Sequence, residues 1–356
     1  MSLKPKTLDS VPEETARVAR AIFPKGNIYM RLYDTFGTFF RGHEFADLFP
    51  NDGQPALCPV RLALVLILQF AEGLTDRQAA DAVRTRIDWK YISCLDLSDP
   101  GFHRTVLCEF RTRLIRGSAE ERLLDPLLVH FQAHGLIRSR GQQRTDSTHV
   151  LGAIRAVTRL ECVGEAIRYA LNSVASATPE WLYAHSRPEW VDRYEMRMDG
   201  YRFPSSSMER TRHAEQMGAD GLALLDAIYD PQTPAWMAEV PAIQILQKIW
   251  IQNYSWSESR HLCWRSVKEI PPSHLFISSP YDPEARYSQK RSSSWVGYKV
   301  HITQTCDEKM PRLVTLVETT AAPVADGDMT TPIHEALKAK DLLPAVHITD
   351  TGYLSP

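Results

Sequence analysis

The sequence predicts a multidomain α+β protein: a helical N-terminal domain, then an α/β core interrupted by a long helical insertion after its first strand. Three observations predict it. Residues 59–134 carry apolar positions at helical spacing, with start and stop residues between the segments. A strand-like stretch then passes through Asp146, and a long run of helical texture follows. From Tyr281 onward, strand alternation, a helix and a final apolar strand succeed one another.

In order, residues 1 to about 54 are mixed, with an aromatic-rich stretch from Ile28 to Phe49 and a turn at Asn51-Asp52-Gly53. Pro59 opens the apolar segment VRLALVLILQFAEG, which Gly73 is placed to stop. The next words, LTDRQAADAVRTRIDWKY, put Thr75 at an N-cap and Ala79, Val83 and Ile87 at helical spacing. Two helices joined by a short glycine-containing turn form a candidate helix-turn-helix, with Arg77, Arg84, Arg86 and Lys90 on or near the second. On charge alone, a helix that touches DNA and an ordinary solvated basic face fit equally. Phe102 to Ile115 reads as a further helix carrying Arg104, Arg111 and Arg113, with Arg116 just beyond, and Glu120 to His134 continues the bundle.

At Gly135 the texture changes, and the strand through Asp146 follows. From about Val157 to Trp264 the pattern is helical, rich in Trp, Tyr and Arg, with proline-containing turns. SSSWVGYKVHITQTC alternates as a strand through Val296, Tyr298, Val300 and Ile302, and PRLVTLVETTAA reads as its hairpin partner. Trp295 and Tyr298 then fall on opposite faces, where packing is a better first reading than base stacking. The basic group Arg286, Lys290, Arg291 and Lys299 serves equally to neutralise DNA phosphates or to solubilise a face. ADGDMTTPIHEALKAK is a helix capped by Thr330 or Thr331, with Pro332 in its first turn, and LLPAVHITDTGY is a short strand ending at Asp350.

Composition narrows the classes. The 356 residues are 44% hydrophobic and 24% charged, the balance of a globular protein with a sizeable core. A net charge of −2 does not advertise nucleic acid, although a local basic face is compatible with it. The cysteines at 58, 94, 108, 162, 263 and 306 form no CxxC pair and no cluster, which argues against a disulfide scaffold or structural zinc and for reduced thiols in the cytoplasm. The polar start MSLKPKTLDSVPEET is not a signal peptide, and the longest apolar run, Leu62 to Phe70, is about half of what a bilayer requires. No membrane role is expected.

Strand, helical insert, two-stranded hairpin, helix, strand: this order resembles a ribonuclease H-like fold interrupted after its first strand. More specifically, TDSTHV around Asp146, WVGYKVHIT at 295–303, VETTAAPVADGDM at 317–329 and ITDTGY around Asp350 resemble the core blocks of DDE transposases from bacterial insertion sequences. The region from Leu62 to Ile115 resembles the InsH-like helical domain of the same enzymes. The resemblance divides the chain into a DNA-binding helical domain at 1–134, the first core strand at 135–156, a helical insertion at 157–280 and the remainder of the core at 281–356. It makes Asp146 and Asp350 the first two metal-binding acids, holding Mg²⁺ in a two-ion site, since hard Mg²⁺ prefers carboxylate and water oxygens. It implies transposon ends and target DNA as partners, and a homo-oligomer on that DNA. The family's third acid, a Glu on a later helix, has no match here, because only TGYLSP follows Asp350. Glu318, Asp326 and Asp328 are not assigned that role, and His149 is left out of the metal site as a locally satisfied residue. A core incomplete at its C-terminus is therefore expected, marginal in folding, with an exposed apolar sheet face and edge. The alternatives are an end-binding protein that does not cut, an inhibitor of a full-length transposase, or a decayed fragment.

Overall fold

The computed structural model describes residues 10–38, 40, 42–53, 56–152, 158–198, 203–290 and 293–354. The chain divides into two compact units, 1–141 with 309–311, and 142–308 with 312–356. The helical insertion belongs to the same unit as the strands.

The first unit is helical: α1 Glu13–Ile22, α2 Ile28–Phe36, α3 Pro59–Glu72, α4 Asp76–Thr85, α5 Ile87–Ile92, α6 Thr105–Arg116 and α7 Asp125–Ala133. From Pro59 to Gln69, α3 is mostly apolar and buried, which makes it a central element of the core rather than a one-sided surface helix. Gly73 ends it in the left-handed conformation (φ 64°), where a side chain is disfavoured. Thr75 then caps α4 and forms a reciprocal capping box with Gln78.

The single helix expected from Thr75 through Tyr91 is instead two. The backbone is extended at Arg86 (φ −93°, ψ 124°), and Ile87 starts α5. The side chain of Arg86 explains the break. Its guanidinium reaches Glu72 at 2.6 Å and Asp88 at 2.7 Å and lies over the rings of Tyr29 and Trp89. Four favourable contacts outweigh the loss of helix continuity over one residue. Ile87 accordingly packs with Ala19, Met30 and Tyr91 rather than beside Ala79 and Val83.

The second unit opens with β1 Gln142–Leu151 and then makes α8 Arg159–Ala177, α9 Pro179–His185, α10 Pro188–Tyr194, α11 Ser207–Ile228 and α12 Pro241–Asn253. Proline begins three of these helices, where its missing N–H costs nothing. The Asp220 carboxylate, fully buried, accepts bonds from Arg193 (2.8 Å), Tyr194 (2.8 Å) and Trp190 (3.0 Å), so a buried charge is fully answered. The stretch ending at Trp264, read as helical from sequence, closes with a hairpin, β2 Tyr254–Trp256 and β3 Leu262–Trp264.

A further strand not foreseen, β4 Arg286–Lys290, leads into β5 Ser293–Thr305, β6 Val314–Ala321, α13 Thr330–Ala339 and β7 Val346–Thr349. β5 pairs antiparallel with β4, β6 and β1, and β1 pairs parallel with β7. The main order is therefore β6–β5–β1–β7, a mixed sheet. Gly297 (φ 156°) pairs with both Leu151 and Arg286, and a side chain there would collide with the Val150 carbonyl. The alternation in β5 has a consequence the sequence pattern hides. Its buried side is Trp295, Lys299, His301, Thr303 and Thr305, while Val296, Tyr298, Val300 and Ile302 lie on the half-exposed side. That more open face continues into Val317, Val346 and Ile348, each between 45% and 49% exposed. α13 is not capped by Thr330 or Thr331. A turn at Gly327–Met329 runs straight into it, and the Thr330 hydroxyl donates instead to the Tyr353 carbonyl.

None of the six cysteines is in a disulfide. Among the described residues, no helix is long and apolar enough to cross a membrane.

Candidate functional site

Side chains alternate along β1: Gln143 and Thr145 are buried, and Asp146 between its neighbours is exposed on the opposite face. The parallel pairing with β7 matches Gln142 to Val346 and continues to Thr145 opposite Thr349. The residues that follow this last pair on the two strands are Asp146 and Asp350. Strand β7 ends there, and Asp350 turns the chain by accepting from Gly352 N–H at 3.0 Å. The carboxylate of Asp146 accepts from Ser147 N–H at 2.8 Å. Both acids are exposed, and neither has a basic partner among the described residues. Their charges converge on Tyr353. Burial first, and then the charges of Asp326, Asp146 and Asp350, push the pKa of its hydroxyl up.

Asp326 is the neighbour that sequence reasoning did not assign. A side-chain carbon added at Gly352 would lie 3.1 Å from an Asp350 oxygen and 3.3 Å from an Asp326 oxygen, so glycine there lets the two carboxylates approach one another. Asp326 is paired, however. Lys299 donates to it at 2.9 Å and to the Val324 carbonyl at 2.6 Å. Burial works to raise the Asp326 carboxyl, but the hydrogen bond and charge of Lys299, with Ser147 and Lys290, hold it below the ordinary value. The described residues contain no group of three or more His, Cys, Asp or Glu placed to hold a metal.

Beneath the acids, the buried face of the sheet is wired by polar groups. His334 Nε2 meets His347 Nδ1 at 2.7 Å, His347 Nε2 meets Thr145 at 2.7 Å, and Thr145 meets Thr303 at 2.6 Å. Gln143 donates to the Leu342 carbonyl at 2.7 Å and accepts from Thr315 at 2.6 Å. These bonds lock β1 to β7 and β5 and so fix where Asp146 stands relative to Asp350. The available sequence signal was faint: His347 and Thr349 alternate with Val346 and Ile348 along β7, the polar pair turned inward.

The basic residues expected to meet DNA separate into two sets. Arg77 is exposed on α4 and makes no hydrogen bond or ion pair among the described residues. Arg84 is largely exposed, donating to the Pro100 carbonyl at 3.1 Å and lying 3.9 Å from Asp81. Arg86, by contrast, is engaged by Glu72 and Asp88. Lys90 is only 4% exposed and donates to the Asp99 carbonyl at 2.7 Å, and burial depresses its pKa. Lys299 is held by Asp326. Arg291 lies outside the described residues. Of the two strand aromatics, Trp295 is buried and stacks on His149 at 3.8 Å, and the Tyr298 hydroxyl donates to Asp282 at 2.5 Å, so both are packing residues.

Residues 17–113, from within α1 to within α6, match the model of a family described as a transposase domain (DUF772). No curated protein and no solved structure matches the chain. The comparison therefore supports a transposase family for this part of the first unit.

Proposed function

We propose that the protein is a transposase that binds DNA through its helical unit and cuts and joins DNA strands at the sheet, with Asp146 and Asp350 as two of its metal-binding acids and the third acid, for which the family's own Glu has no match here, supplied by another residue. The observation that carries this reading is the β1–β7 register, whose last pair, Thr145 with Thr349, immediately precedes two exposed carboxylates that have no basic partner among the described residues. The strand order β6–β5–β1–β7, antiparallel twice and then parallel, with a helical insertion after the first strand, supports reading the sheet as a ribonuclease H-like core. The transposase-domain match supports DNA as the partner.

Two carboxylates suit Mg²⁺, which is commonly held by one or two carboxylates together with water and substrate phosphate oxygens. Bound there, it would supply Lewis-acid stabilisation of the phosphodiester oxygens. The rest belongs to the chain. The Ser147 and Gly352 amides orient the two carboxylates, and the hydrogen-bonded layer below keeps their strands in register. In the proposed reaction, water attacks phosphorus and the P–O3′ bond breaks. The freed 3′-hydroxyl then attacks a target phosphodiester and displaces its 3′ oxygen. Arg77 and Arg84 are the proposed phosphate contacts of the helical unit, and holding two DNA ends calls for a homo-oligomer.

The test uses labelled DNA from the segments that flank the coding sequence, with a binding titration across salt followed by incubation with Mg²⁺ or Mn²⁺. Metal-dependent cleavage, lost in both Asp146→Asn and Asp350→Asn while binding persists, is the expected result. Binding without any cleavage would replace this reading with an end-binding protein, and absence of both would overturn it.

A further inference from the structure

In the helical insertion, a cavity of about 500 Å³ opens between the start of α8 and the start of α11. That volume is within the usual range for small-molecule and cofactor sites. Two arginines line it. Arg159 is half-buried, its guanidinium 4.2 Å over the Trp264 ring, with bonds to Asn253 Oδ1 (3.0 Å) and the Arg265 carbonyl (3.1 Å). No carboxylate pairs with it among the described residues, and burial lowers its pKa. A half-buried cation held by neutral acceptors and a ring, with no carboxylate beside it, keeps a net charge that an anion would neutralise. Arg210 is exposed at the mouth, with only its Nε engaged, by the Pro204 carbonyl at 2.6 Å. Among the described residues of the wall the one acid, Glu161, is turned to the Thr158 N–H at 2.6 Å as half of a capping box. Phe203 and Trp264 form an apolar flank, and Thr211 adds a hydroxyl.

We propose that this cavity is a nucleotide pocket, taking a phosphate between Arg159 and Arg210 and the attached sugar and base against Phe203. Two guanidiniums match phosphate oxygens in geometry and charge, and an aromatic flank accepts any base because every base has an apolar face. The phosphate half of this assignment stands on the cavity alone. The nucleotide half rests on the reading of the chain as a DNA-acting protein. The pocket would then hold one nucleotide of a strand whose neighbours lie elsewhere on the protein.

The experiment is a calorimetric titration of the full chain with thymidine 5′-monophosphate, thymidine and inorganic phosphate, repeated on Arg210→Gln and Arg159→Gln. The monophosphate should bind more tightly than either half alone, and Arg210→Gln should weaken it by about tenfold, as expected for losing a charge-assisted bond. Arg159 also holds the Asn253 region, so Arg210→Gln is the decisive variant if Arg159→Gln does not fold. Wild-type affinity in Arg210→Gln, or no binding of the monophosphate by the wild type, would overturn the pocket. Equal affinity for inorganic phosphate and the monophosphate would overturn its nucleotide character. Asp146→Asn should leave all three titrations unchanged, so failure here and failure of the metal site are separable.

Discussion

The helix pair α4–α5 and the strand pair β1–β7 both carry the charged residues that attract attention in the sequence, and they treat those charges in opposite ways. In α4–α5, Arg86 and Lys90 turn inward to carboxylates and carbonyls and hold the fold. On β1–β7, Asp146 and Asp350 turn outward with no counter-charge among the described residues. Lys299 shows that the sheet can neutralise an acid where the fold needs it, as it does for Asp326. The difference teaches a rule of reading: a charge already answered within the chain belongs to the architecture, and a charge left open beside a second like charge is available to a ligand.

Substitutions at the two places should therefore have opposite consequences. The largest effect is expected at the sheet. Asp146→Asn or Asp350→Asn should reduce strand cleavage by at least about a hundredfold, the scale of losing one electrostatic stabiliser, with thermal stability near that of the wild type. Removing both should cost little more than removing one, because each is useless without the other. Large loss of stability in either single variant would place these acids with Arg86 instead.

Arg86→Ala should do the reverse. Stability should fall by about 2 kcal/mol, below the range for a fully buried pair because Arg86 keeps 36% of its side-chain surface in water. Denaturant titration measures this, and an unchanged midpoint would mean the Glu72–Arg86–Asp88 bonds do not hold the helix break. Thr75→Ala, which removes the capping box of α4, should cost about 1 kcal/mol in the same measurement. Arg77→Gln should cost no stability but reduce the salt dependence of DNA binding by about one phosphate contact. An unchanged salt slope would take α4 out of the DNA interface.

The smallest expected effect is a pH dependence of the second unit. Burial holds His301 and His347 below the ordinary histidine value of 6.5, so the folded chain resists a proton that the unfolded chain accepts. Their contribution is complete above about 6.5 and declines as pH falls beneath it toward the lowered folded values. Thermal unfolding from pH 7.5 to pH 5 should show the decline, reduced in His347→Asn; a midpoint that rises on acidification would contradict the sign.

Local chemistry was the legible part of the sequence. Pro59, Gly73 and Thr75 act within a turn of themselves, so their roles can be read from neighbours alone. The partner of Arg86 on α3 arrives from 14 residues away, and that of Lys299 from 27, so the sequence displayed those charges without their answers. The helix break at Arg86, the small hairpin Tyr254–Trp264 and the strand Arg286–Lys290 were hidden for related reasons: each depends on tertiary contacts or is too short to show a period. Asp146 and Asp350 were named from the words around them. What no word displays is the parallel register that ends just before them, or the His334–His347–Thr145 layer that maintains it.

The most direct test of the central claim is a Mn²⁺ titration of the full chain followed by electron paramagnetic resonance, with Asp146→Asn, Asp350→Asn and the double variant alongside. If the two carboxylates share a cation site, the wild type binds Mn²⁺ in competition with Mg²⁺, and each single variant loses that binding as completely as the double. If both single variants bind Mn²⁺ as the wild type does, Asp146 and Asp350 do not form a metal site.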